Sequence, residues 1–234
     1  MDKLQKYKPT DKMIDLIGDN YSLLQVMSRF GLSLGFGDKT VKEVCEMNNV
    51  DCQTFLVVVN FMAEGFSRMD GSADDISIPA LVDYLRQAPI YFLDYCLPAI
   101  RRKLIEAIDC SQDDVSFLIL KFFDGYMREV RKHMEYEEKT VFKYVDTLIH
   151  GNAPKNYQIS TFSKHHDQVG ERLTELKNII IKYCPAKANT NVLNAALFDI
   201  YACEEGLESH CKVEDYLFVP AILKLERRMR ENEK

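Results

Sequence analysis

Two segments of the chain repeat one chemical pattern. His133-Met-Glu-Tyr-Glu137 and His210-Cys-Lys-Val-Glu214 each set an imidazole and a carboxylate four residues apart. On a helix that spacing puts a nitrogen and an oxygen donor one turn apart on the same face. Between the two segments lies a histidine pair, His165-His166. Imidazole with carboxylate suits iron, manganese or zinc, and a carboxylate can bridge two ions. A lone His-x-x-x-Glu is more often a surface ion pair than a ligand set. The weight here comes from two of them with a further histidine.

The apolar stripes show where these residues face. One stripe reads Phe123, Tyr126, Val130, His133, Glu137, Val141, Tyr144, Leu148, and another Ala196, Ile200, Cys203, Leu207, His210, Glu214, Leu217, Ala221. Steps of three and four keep each on one helical face. A third runs Ile159, Phe162, His166, Val169, Leu173, Leu176, Ile180, with His166 inside it. His165 is one step off that face, beside Gln168 and Arg172, and reads as a surface residue or a neighbour of the ligands. His150, before Gly151, reads as a helix C-terminal residue that complements the dipole. A carboxylate on a core-facing stripe is costly unless it is paired or metal-bound, so the two Glu and three His are expected to share a metal centre.

These stripes need long helices to carry them. The chain has 234 residues with only 10 Gly and 7 Pro, so turns are scarce and elements long. Four helical patterns are predicted, from about Pro79 to Ala107, Ser111 to Ile149, Ile159 to Tyr183, and about Thr190 to Arg230. The connections are short, which makes neighbours antiparallel and predicts an all-α, up-down-up-down four-helix bundle over 78–234. Residues 1–77 read as a small helical N-terminal domain. Asn20 is a cap for the helix YSLLQVMSRF, which the Gly31–Gly37 segment ends. Thr40 and Glu43 have capping-box spacing, and a core helix runs from Asp51 to about Phe66. Arg68 to Asp75 is the expected linker.

Composition removes several classes of function. The formal charge of −6 leaves no basic stripe for nucleic acid. No apolar run of membrane-spanning or signal-peptide length occurs, and the seven cysteines include no CxxC, which together read as a reduced, cytoplasmic chain. Gly35-Phe-Gly-Asp-Lys-Thr40 resembles a phosphate loop only superficially, because Asp38 interrupts it and no strand precedes it.

From His133-Met-Glu-Tyr-Glu137, His166-Asp167, His210-Cys-Lys-Val-Glu214 and the following Leu217-Phe-Val-Pro220, in that order, residues 79–230 resemble a hemerythrin-type (HHE cation-binding) bundle. The two-domain layout, with Phe30-Gly-Leu-Ser-Leu-Gly-Phe-Gly-Asp-Lys-Thr40, is similar to the iron–sulfur cluster repair di-iron proteins, also described as regulators of cell morphogenesis and nitric oxide signalling. The resemblance implies non-haem iron, one or two ions per chain. His133 and His210 would be terminal ligands, Glu137 and Glu214 bridges, His166 the third-helix ligand, and Glu129 a carboxylate lining the site. It departs at two places. The family's first-helix histidine, about eight residues before a Leu-Pro, has no counterpart before Leu97-Pro98, and no histidine precedes His133. Asp94, Tyr91, Tyr95 or water are the available substitutes there. The family's N-terminal Cys-Cys is also missing, and Cys45 and Cys52 stand seven apart on two predicted helices.

The expected function is therefore binding or sensing of O2 or nitric oxide, iron handling, or cluster repair under stress, more in the manner of a sensor or repair protein than of a conventional enzyme. The competing expectation is a metal-poor, degenerate bundle acting as a regulatory or protein-interaction module. Catalysis on a small oxidant such as peroxide is a third. A protein partner or a homodimer fits any of these readings.

Overall fold

The computed structural model describes residues 6–64, 76–108, 114–152, 154, 156–162, 171–184 and 188–232. Among them there is no strand, only an isolated bridge between Lys12 and Thr40. The all-α expectation holds. The chain divides into two compact units, Met1–Gln87 with Lys212–Lys234, and Ala88–Cys211.

In the first unit, helices α1 (Met13–Asp19), α2 (Leu23–Arg29), α3 (Val41–Met47) and α4 (Cys52–Glu64) come before α5 (Ile78–Arg86). The predicted capping box is present. Thr40 accepts from the Glu43 amide at 3.3 Å, and the Glu43 carboxylate accepts from the Thr40 amide at 2.8 Å. Asn20 is not the helix cap: α2 begins at Leu23, two residues later than predicted, with Ser22 at the cap position, and the Asn20 side chain instead accepts from the Ser22 amide at 3.1 Å. The helix ends where the Gly segment predicts, because Gly31 adopts φ +71°. The Gly31 and Leu32 amides then bond back to the Ser28 and Met27 carbonyls at 3.0 and 2.9 Å. Helix α4 is described as far as Glu64, and the predicted linker lies outside the described residues. Asn60 of α4 pairs with both backbone groups of Tyr7, at 2.7 and 3.0 Å, and so pins the entering chain.

In the second unit, α6 (Leu97–Ala107), α7 (Asp114–Tyr136), α10 (Glu171–Tyr183) and α11 (Thr190–Val213) surround one apolar core. Ile100, Phe123, Tyr126, Leu176 and Ile200 are fully buried in it. Each such side chain contributes about 1.5–3 kcal/mol by leaving water. Ion pairs join the helices at the rim: Arg101 reaches Asp124 at 2.6 Å, and Lys103 reaches Asp199 at 2.6 Å. Short helices α8 (Phe142–Ile149) and α9 (Ile159–Phe162) follow α7. His150 caps α8, with its Nδ1 2.7 Å from the Asp146 carbonyl, as its sequence position implies.

The predicted long helices are not uniform. Three contain π-helical segments, π1 (Ile90–Cys96), π2 (Glu137–Val141) and π3 (Glu214–Phe218), and π3 leads into α12 (Val219–Asn232). Proline explains two of them. Pro98 and Pro220 come directly after Leu97 and Val219, where π1 and π3 end. A proline lacks the N–H for the i−4 carbonyl and its ring collides with that carbonyl, and a wider turn relieves both. No proline adjoins π2.

Candidate metal centre

The inward stripes are buried as the sequence implies. Every described member of the Phe123–Leu148 and Ala196–Ala221 stripes has lost almost all contact with solvent. His133 sits near the end of α7 and Glu137 opens π2; His210 sits near the end of α11 and Glu214 opens π3. Both pairs thus straddle the same kind of junction, an α-helix widening into a π turn. Such insertions are frequent at functional sites, because they re-aim side chains without ending the helix.

His133 is 10% exposed, Glu137 1%, and His210 and Glu214 not at all. His133 Nε2 lies 2.5 Å from Glu137 Oε1, and His210 Nε2 lies 3.6 Å from Glu137 Oε2. Each of His133, Glu137, His210 and Glu214 offers one ligand atom within 4.8 Å of the others. Burial pushes the Glu137 carboxyl up, yet the two imidazoles beside it more than offset this and hold it below the usual carboxylate range. It is therefore an anion in the core. Its partners are those two imidazoles. A buried carboxylate is costly unless it is paired or metal-bound, and a cation held by the same four side chains would take the place of the imidazole protons. Two nitrogen and two carboxylate donors fit a first-row transition ion such as iron, manganese or zinc.

Among the described residues, Glu129, Asp94 and Tyr91 are not part of this group. Glu129 is half-buried on α7 and paired with Arg172 at 2.5 Å. Asp94 is exposed on π1. Tyr91 is half-buried, its ring 5.0 Å from Phe92. His165 and His166 lie outside the described residues. On the first bundle helix, where a further histidine was expected to be missing, the fully buried Phe92 packs edge-on to His210 with ring centroids 6.4 Å apart. Sequence reading passed over Phe92. Its only signal is that it follows Pro89, on a stretch whose phase the π turn resets.

An all-α bundle with paired His/Glu on core-facing stripes defines a class of cation-binding helical proteins. The chain matches the Hemerythrin HHE cation binding domain over residues 81–222, more than half its length, and it belongs to that family. No curated protein is significantly similar to it. Among the described residues no helix is long and apolar enough to cross a membrane.

Proposed function

We propose that this hemerythrin-family protein holds non-haem iron at His133, Glu137, His210 and Glu214, with His166 as a further ligand. Its role is O2 or nitric oxide sensing, iron handling or iron–sulfur cluster repair under stress. The observation that supports this is the cluster itself: Glu137, 1% exposed and flanked by the two imidazoles, lies with His133, His210 and Glu214 so that one donor atom from each is within 4.8 Å of the others. When bound, iron supplies an open coordination position and a redox couple. The chain's own residues hold the donors and exclude water, since His210 and Glu214 are wholly buried. Phe92 brings an apolar ring and no donor to the face of His210, which favours one ion over two. We place the protein in the cytoplasm, with a protein partner or as a homodimer.

Elemental analysis after anaerobic iron reconstitution tests the reading. About one iron per chain supports the half-site, and about two with near-ultraviolet oxo-bridge absorption supports the pair. No bound metal defeats the iron reading. It would favour a metal-poor regulatory or interaction module, the alternative that the absence of any histidine before His133 supports.

A further inference from the structure

A groove runs between α7 and α10, and none of the four donors of the metal centre lines it. Its volume is about 570 Å³, within the range of small-molecule sites. Val115, Leu118 and Phe122 of α7 form one wall, and Ile179 and Tyr183 of α10 form the other. Leu118 is 57% exposed and Tyr183 65%, so this apolar surface lies open to solvent. Along α7, from Val115 to Gly125, the wall is about 15 Å long.

The two ends of the groove differ in charge. Arg172, which lines it from α10, pairs with Glu129 of α7 at 2.5 Å, one turn past Gly125. From there α10 runs back toward Val115, so Val115 and Tyr183 make the opposite, apolar end. Lys121 lines the groove one turn before Gly125. Among the described residues it forms no ion pair or hydrogen bond. Gly125 itself has room, because a Cβ there would meet only the Arg128 guanidinium, at 3.7 Å. Glycine weakens a helix interior and no neighbour demands it here, so its effect is to keep the groove open. Three cations, Lys121, Arg128 and Arg172, thus gather around one end. Glu129 holds Arg172, and Asp124, one turn before Arg128, is bound to Arg101.

We propose that this groove binds a single-chain amphipathic carboxylate of the fatty-acid class. The hydrocarbon chain lies along Leu118, Phe122 and Ile179, which removes apolar surface from water. The carboxylate meets the cations at the Gly125 end, Lys121 first, because no described residue already holds it. Apolar walls with cations at one end fit a molecule with one charged head. An extended peptide would instead set backbone polar groups against those walls along the whole length. The inference stands on the groove alone and needs no bound iron.

The test combines photo-crosslinking and calorimetry on full-length protein treated with a chelator, so that no iron competes for the carboxylate. Dodecanoate carrying a diazirine on its chain, kept below its micelle concentration, should label peptides from 115–125 and 172–183. Unmodified dodecanoate should suppress that label. This measurement uses wild-type protein and needs no variant to fold. Gly125→Leu places a side chain in the groove and should weaken dodecanoate binding on the order of tenfold, while the better helix former preserves α7. Lys121→Ala should weaken dodecanoate about fivefold and leave dodecanol, which has the same chain without the charge, unchanged. Absence of saturable binding, or label confined to other peptides, would overturn the proposal. Dodecanol binding wild type as tightly as dodecanoate would overturn the anionic class. A dimer that Gly125→Leu dissociates, without dodecanoate binding, would give the groove to a second copy of the chain instead. Failure of iron binding leaves these results untouched, so the two readings fail separately.

Discussion

Glu137 concentrates the chemistry of the site into one side chain. It is anionic, 1% exposed and beside two imidazoles, so it contributes charge where the core can least solvate it. Glu137→Ala should therefore abolish metal uptake, and Glu214→Ala should lower metal content, both read by elemental analysis of the reconstituted protein. Retained stoichiometry in either variant removes that residue from the centre. Phe92 gives a prediction of opposite sign. It faces His210 with ring centroids 6.4 Å apart, so Phe92→His puts a nitrogen donor where an apolar ring now stands. Metal retention should rise, while the lost core packing should lower stability by roughly 2–4 kcal/mol in the metal-free protein. A variant that binds no more metal than wild type would show that this face of His210 is not part of the site.

At the scale of elements, helix ends and cross-helix ties have separable consequences. Thr40 closes both halves of its capping box, and Thr40→Ala should cost about 1 kcal/mol in denaturant unfolding. On the bundle, Arg101 binds Asp124 through two hydrogen bonds, at 2.6 and 3.1 Å. The guanidinium holds the Asp124 carboxyl below the usual range, against partial burial. A depressed carboxyl stabilises the fold above its unfolded pKa and loses that contribution as pH falls through the folded value. The stability gap between wild type and Asp124→Asn should thus be present at neutral pH and close below about pH 4. Both side chains are about a third exposed, so the gap is no more than ~1 kcal/mol. A gap that persists unchanged at low pH would contradict an ionic origin.

For the whole molecule, metal binding and folding are one equilibrium. A ligand that binds only the folded chain stabilises it by about 2.7 kcal/mol at a hundredfold excess over its Kd. For a chain of this size that amounts to roughly 5–10 °C in Tm. Iron(II) added anaerobically should produce such a rise by calorimetry, and Glu137→Ala should remove it. An equal rise in the variant would place the stabilising ion elsewhere.

Periodicity is local information, and it sufficed for the helices and for which of their faces is buried: both His/Glu stripes are interior from Phe123 to Leu148 and from Ala196 to Ala221. The Thr40–Glu43 cap and the Gly31 helix end were legible for the same reason, since each depends on residues at most a few positions apart. The residues that could ligate metal were visible from their types and spacing. Whether they meet was not, because a ligand set is a set of distances between helices. Only the tertiary structure brings His210 to Glu137 and sets Phe92 against His210. The π turns escaped the sequence because they change residues per turn without changing residue type. They decide which side chain reaches the centre after Pro89, and so which ring stands where a fourth donor wall could have been.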